Sequence, residues 1–337
     1  MPRVTMADIA RTCGVSRSTV SRVLSGQSER YRISDATAGK VRNAARELGY
    51  LPNTVARSLR TRSTRTLGLL VSDISNPFFG NIAWAVERAA EAEGFTVIVC
   101  NSAEEQPREK SYIEELRSRQ VDGLIISPVQ EEHEHLSGLL DGGFPFVLLD
   151  RYFADLDCDC VVCDNVDGAR RLTEAVIGLG HRRIGFIGGR PAATTSQDRF
   201  LGYWQAVTAG DAVAERSLMR ERDFTREAGE WGMSELLALP EPPTAIVAAN
   251  NNLMTGALEV LMEHERSSDE RVLVAGFDEV PFLRFLGRPV LCASQPEAKL
   301  GEEAARMIIG RIRGQRTAPE QVVLRQEILR FDLTGGS

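Results

Sequence analysis

Aromatic side chains are scarce in this chain of 337 residues, at 6%, and histidine occurs four times. The histidines, at 133, 135, 181 and 264, stand in no motif, so no Ser-His-Asp set can be assembled around them. No apolar run approaches the roughly 20 residues that cross a bilayer, which excludes a membrane-spanning helix and a membrane partner. The opening residues, MPRVTMADIA, lack the apolar core of a secretory signal, so a cytoplasmic location is expected. Of the six cysteines, Cys158, Cys160 and Cys163 crowd together, while Cys13, Cys100 and Cys292 stand apart. Structural zinc takes four ligands and no histidine is adjacent, so neither a metal nor a redox role is expected. GFIGG at 185–189 lacks the rest of a G-x-G-x-x-G fingerprint, and the RPAATTSQD that follows does not read as a correctly placed helix start. With no P-loop either, no cofactor is expected and the chain does not read as an enzyme.

What is present is ordinary globular material, 43% hydrophobic and 26% charged, in a length that calls for two or three domains. The net charge of −7 conceals a division. Residues 1–66 hold thirteen Lys or Arg against four acids, a surplus of nine, which leaves a deficit of sixteen on the remainder. A basic head on an acidic body implies that the head alone meets a polyanion.

That head contains TMADIARTCGVSRSTVSRVL, residues 5–24. Ile9, Ala10, Val15, Val20, Val23 and Leu24 recur at spacings that close a small core between two short helices. Gly14 stands at the corner, where glycine tolerates the positive φ that a sharp turn often needs, and Ser16 is placed to cap a second helix over 17–24. The outward residues Arg17, Ser18, Ser21 and Arg22 are all hydrogen-bond donors, a face suited to a DNA major groove. Ser34 opens a third helix to about residue 48, with Ala38, Val41, Ala45 and Leu48 inward and Tyr50 and Leu51 closing the core. After Pro52, the segment from Asn53 to Arg60 is too short to be a stable helix alone. A basic stretch tipped by Leu59 makes sense if it folds against DNA and wedges the leucine into the minor groove.

From Thr66 the pattern alternates. Strands are read at 67–71, 96–100, 123–127, 146–149, 184–187, 245–248 and 272–276. Helices fall near 78–93, 108–119, 131–140, 166–179, 199–209, 226–238, 251–263 and 296–313. Some 270 residues of βα alternation imply an α/β body of two doubly wound parallel sheets with a cleft between them.

The motifs ADIARTCGVSRSTVSRVL and LGYLPNTVARSL, with ISNPFF, LLDR, DRFLGY, AANNN, GFDE and SQPEAKLG in the body, resemble the LacI family of bacterial transcription regulators along essentially the whole chain. The resemblance implies a helix–turn–helix domain over 1–51, a hinge helix and linker over 52–65, and a periplasmic-binding-protein-like effector and dimerisation domain over 66–337. Its first lobe would be about 66–163 and 293–323, its second about 164–291 and 324–337. Arg17, Ser18 and Arg22 would face base edges, while Thr5, Ser16, Thr19 and Ser21 contact phosphates or cap. Ser25 stands where relatives usually carry asparagine. Asn53 would cap the hinge helix, with Val55 and Ala56 against a partner's hinge and Leu59 in the minor groove.

The effector cleft is expected at the C-terminal ends of the strands, lined by Asp73, Asn76, Phe78, Phe79, Asp150, Arg151, Arg199, Asn250, Asp278 and Gln295. The expected partners are a palindromic double-stranded operator, a second copy of the chain, and a sugar or sugar acid, the arginines favouring an anionic one. No leucine heptads end the chain, so a homodimer is expected rather than a tetramer. The implied function is repression of a carbohydrate-use operon relieved by the effector, with corepressor-dependent or activating regulation as the alternative within the family.

Overall fold

A computed structural model describes residues 4–50, 63–130, 132–264 and 271–331. The chain divides into two compact units between Thr64 and Arg65. The hinge residues Asn53, Val55, Ala56 and Leu59, and also Leu51, lie outside the described residues.

The first unit holds three helices, α1 (Met6–Cys13), α2 (Arg17–Leu24) and α3 (Asp35–Glu47). Gly14 turns the corner after α1 at φ 65°, in the left-handed region that only glycine enters without cost. Ile9, Val20, Val23, Ala38 and Val41 are all buried together, with Val15, Leu24 and Tyr50 packed against them. Leu48, expected inside, is 37% exposed, because α3 ends at Glu47 and the chain turns away through Gly49.

In the second unit the elements run β1 (Thr66–Val71), α4 (Pro77–Ala92), β2 (Thr96–Asn101), α5 (Gln106–Ser118), β3 (Gly123–Ile126), α6 (Glu134–Asp141), β4 (Phe146–Leu149) and β5 (Cys160–Cys163). Then follow α7 (Asn165–Gly178), β6 (Ile184–Gly188), α8 (Thr194–Ala209), β7 (Met219–Glu221), α9 (Arg226–Leu237), β8 (Ala245–Ala248), α10 (Asn251–His264) and β9 (Leu273–Phe277). The last elements are β10 (Val290–Ser294), α11 (Glu297–Ile312), β11 (Gln321–Leu324) and β12 (Glu327–Phe331).

Two six-stranded sheets result, β11-β5-β4-β3-β1-β2 and β12-β10-β9-β8-β6-β7. The first is parallel throughout, whereas β12 runs antiparallel along β10 at the edge of the second. Central strands such as β4 and β8 are buried at every residue, since helices cover both faces. The chain passes between lobes three times, after β5, after β10 and after β11. Helix α11 returns to the first lobe, where Gly301 lets it approach Ile82 and Ala85 of α4.

Of the three clustered cysteines, Cys160 and Cys163 are the buried ends of β5, and burial pushes the Cys160 thiol up to about 11. One local reading changes. The helix after GFIGG opens at Thr194, five residues before the expected start, with no side chain capping it. Nothing polar marks that start in the sequence, because Ala193 occupies the cap position.

Candidate functional site

At the head, helix α2 begins on the Ser16 hydroxyl, which accepts a hydrogen bond from Thr19 N–H at 3.1 Å. The Ser18 and Thr19 hydroxyls lie 2.7 and 2.8 Å from it, so three expected contact residues form one hydroxyl cluster at the helix N-terminus. Thr5 caps α1: its N–H and hydroxyl both donate to Asp8 Oδ2, at 3.0 and 2.7 Å. Those bonds hold the Asp8 carboxyl below the usual range. Arg17, Ser18 and Arg22 are exposed, and Ser21 is half-buried. The Ser25 hydroxyl donates back to Arg22 O at 3.2 Å, ending the helix.

In the body a cleft of about 550 Å³ opens between the lobes, a size suited to a small ligand. All ten residues expected there line it: Asp73, Asn76, Phe78, Phe79, Asp150, Arg151, Arg199, Asn250, Asp278 and Gln295. Strand ends and the helices beyond them place these residues, with Asn76, Phe78 and Phe79 at the start of α4 and Arg199 within α8. Asp150 follows β4 and Asp278 follows β9, both with left-handed backbone, at φ 68° and 69°. Aspartate tolerates that region better than most residues, and two such positions facing one cleft are a feature of functional sites.

Arg199 is almost completely buried. Its Nε donates to Asn165 Oδ1 at 2.8 Å, its Nη1 to Ala249 O at 2.6 Å, and its guanidinium lies 4.1 Å over the Phe277 ring. Gln295 Nε2 donates to Asp278 Oδ1 at 2.6 Å, while Gln295 Oε1 is buried without a protein partner. Burial raises the Asp278 carboxyl, opposed by the Arg199 charge and the Gln295 bond. Burial likewise pushes Asp150 up to about 6, against the pull of Arg151 and Arg199.

Several expected residues also carry structural duties. Arg151 pairs chiefly with Glu104, at 2.6 and 2.9 Å, and only loosely with Asp150 at 3.8 Å. Asn250 Oδ1 accepts from Leu253 N–H at 2.9 Å and so caps α10. Asp73 closes a local turn on Ser75. Phe78 and Phe79 both line the cleft, packed edge to face at 5.0 Å.

Contacts beside the cleft join the lobes. Asn76 and Asn251, both buried, exchange amide hydrogen bonds of 3.0 and 2.8 Å. Gln130 Oε1 accepts from Thr194 N–H at 2.7 Å, and Arg190 donates to Glu104 O at 3.0 Å.

Sequence reasoning missed part of the lining, including Glu104, Arg190, Thr195, Asp223, Phe224, Arg226 and Glu227. Four of these sit after β7, a three-residue edge strand with no apolar run to reveal it. With them the lining holds four arginines against six carboxylates, an excess of negative charge. The arginines are engaged within the protein: Arg151 by Glu104, Arg190 by the Glu104 carbonyl, Arg199 by neutral acceptors, Arg226 by Glu230 and Glu259. The arginine count by itself therefore does not argue for an anionic ligand. Among the described residues, no three His, Cys, Asp or Glu side chains gather as metal ligands, and no helix is long and apolar enough to cross a membrane.

Two parallel-sheet lobes around a polar cleft, in one chain with a helix–turn–helix unit, define a ligand-binding, DNA-binding regulator. Comparison with known proteins agrees. Residues 64–330 match the family described as periplasmic binding proteins and sugar binding domain of LacI family, and residues 5–53 match the bacterial regulatory proteins of the lacI family. The ribose operon repressor of Haemophilus influenzae is 32% identical over 313 residues, covering 92% of each chain. The structure of the transcriptional regulator CelR with cellobiose is similar at a TM-score of 0.72 and 31% identity, covering 98% of this chain and 100% of that one. The lac repressor dimer bound to operator and an anti-inducer shares the fold at a TM-score of 0.85 and 23% identity, over 98% and 99% of the two chains. The chain belongs to the LacI family of bacterial regulatory proteins. It is a ligand-responsive DNA-binding regulator, in a family of transcription factors rather than enzymes.

Proposed function

We propose that the chain represses a carbohydrate-use operon as a homodimer, and that an uncharged polyhydroxylated ligand, a sugar or nucleoside, releases it from a palindromic operator. The observation that carries the ligand class is the acid-rich lining with its arginines already engaged. Buried carboxylates such as Asp150 and Asp278 need hydroxyl donors rather than another anion. Phe78 and Phe79 offer apolar surface for a ring face, and Arg199, Asn250, Gln295, Arg151, Asn76 and Asp73 supply the remaining polar contacts. The ribose operon repressor and the cellobiose complex support this class.

On the DNA side, Arg17, Ser18 and Arg22 read base edges, and Thr5, Ser16, Thr19 and Ser21 orient the head on phosphates. Asn53 caps the hinge helix, Val55 and Ala56 meet the partner's hinge, and Leu59 enters the minor groove. A second copy covers exposed apolar side chains on both lobes, including Trp84, Val99, Met262 and Phe285. Ligand bound between the lobes draws them together, turns the first lobes about the dimer interface and separates the hinges.

The test offers full-length protein a library of random palindromic duplexes, with and without candidate ligands. One palindrome should be enriched, and a neutral sugar or nucleoside should release it and raise the thermal midpoint. At 100 times its dissociation constant the ligand stabilises by about 2.7 kcal/mol. Absence of any enriched duplex sinks the operator reading; stabilisation by sugar acids or sugar phosphates alone sinks the ligand class.

A further inference from the structure

Residues 25–33 join α2 to α3 and carry Arg30, Tyr31 and Arg32 in succession. The segment is ordered by its own backbone. Gln27 N–H donates to Arg22 O at 2.9 Å, Tyr31 N–H to Gln27 O at 3.2 Å, and Ile33 N–H to Ser28 O at 2.9 Å, with Ser28 buried beneath. This arrangement leaves Tyr31 42% exposed, where burial would have stabilised it. The Arg22 guanidinium lies 4.0 Å from the ring centre, and that of Arg30 lies 5.8 Å from it. Among the head's described residues the one ion pair joins Arg11 to Asp8, so no carboxylate competes with Tyr31 for Arg22.

We propose that Tyr31 is a positioning residue for base readout, its ring holding Arg22 at the exposed edge of α2 in the pose that meets the DNA. This rests on the reading of the head as an operator-binding domain. The physical reason lies in the guanidinium. Stacking on a ring uses the face of the group and leaves its in-plane N–H fork free, and that fork is what a guanine O6/N7 edge accepts. An arginine on a solvent-exposed helix face otherwise samples many rotamers, and ordering it at the moment of binding costs affinity. The ring makes that ordering part of the folded head. Arg30 and Arg32 flank the ring as exposed cations, so the same turn brings positive charge beside the base-reading arginine, where a phosphate backbone would pass.

The experiment uses full-length protein throughout. Wild type first selects a duplex from a randomised palindromic library, and Tyr31→Phe, Tyr31→Leu, Tyr31→Ala, Arg22→Ala and the Arg22→Ala/Tyr31→Ala pair are then measured on the selected and on a scrambled duplex. Phe keeps the ring and should match wild type. Leu keeps apolar bulk without a π face, and it should lose about tenfold on the selected duplex, as Ala does, with the scrambled duplex unchanged. Library selection with Tyr31→Ala should relax at one symmetric base-pair position, the same one that Arg22→Ala relaxes. Tyr31→Ala should cost nothing further once Arg22 is gone, whereas a mere loss of folding would weaken that background too. Wild-type affinity in Tyr31→Leu, equal losses on both duplexes, or full additivity with Arg22→Ala would each overturn the proposal while leaving the operator reading intact. A wild type that selects no duplex overturns both.

Discussion

Replacing Asn251 with alanine removes one half of the carboxamide pair that ties the lobes together beside the cleft. Asn76 and Asn251 are 5% and 2% exposed, and their two mutual hydrogen bonds measure 3.0 and 2.8 Å. Alanine deletes both and strands Asn76 Nδ2, while Asn76 Oδ1 keeps its bond from Phe78 N–H at 3.0 Å. Each lost bond is worth about 1 kcal/mol net, because separated lobes expose the amide to water instead. The lobes-together state should therefore weaken by about 2 kcal/mol, roughly thirtyfold in the opening equilibrium. For a ligand that needs both lobes, apparent affinity follows the fraction of protein with its lobes together. Starting from a balanced equilibrium, that fraction falls about fifteenfold; starting from ten to one in favour of contact, it falls only about fourfold. Titration calorimetry with a ligand from the thermal screen should thus show a loss of about four- to thirtyfold, and small-angle scattering of the unliganded protein should show a larger radius. Unchanged affinity together with an unchanged radius would refute the latch.

Two further outcomes follow from buried groups. Burial raises Asp150 to about 6, so the folded protein holds that proton more tightly than the unfolded chain does. The associated stability is present below about pH 4 and is lost as pH rises toward 6, which leaves a cost of up to about 3 kcal/mol at neutral pH. Asp150→Asn should accordingly raise the denaturation midpoint at pH 7–8 and lose that advantage by about pH 4; a gain that is flat with pH would contradict the burial argument. Gly202 of α8 faces α7 so closely that a Cβ would collide with Val166 O and lie 2.8 Å from Ala169 Cβ. Gly202→Ala should cost about 1–3 kcal/mol, read as a lower thermal midpoint with secondary structure retained, and a wild-type midpoint would disprove the contact.

Continuous apolar runs made many of the strands legible, although burial alone did not decide which. Strands β4 and β8 were legible to the residue because FVLL and AIVA lie inside parallel sheets and must be apolar throughout. Strands β7, β11 and β12, partly exposed edges without a continuous apolar run, escaped notice, and so did the buried β10, whereas the exposed edge β2 was read at 96–100 from its TVIVC run. Missing β7 hid the loop beyond it, and with it Asp223, Phe224, Arg226 and Glu227 of the cleft. Start signals behaved the same way: Ser16 and Ser34 announced α2 and α3 through capping hydroxyls, while Ala193 announced nothing for α8.

By itself, then, the order of residues determined the head and the alternating body, through local periodicity and capping, and the division of charge between them, through composition. It also marked the strand ends that carry Asp150, Arg151 and Asp278, and the helix that carries Arg199. Tertiary structure alone decided what those side chains have left to offer a ligand. Glu104 meets Arg151 from 47 positions away and Asn76 meets Asn251 from 175, and no spacing rule reaches that far. The net character of a cleft depends on which charges are already matched through space, and only folding matches them.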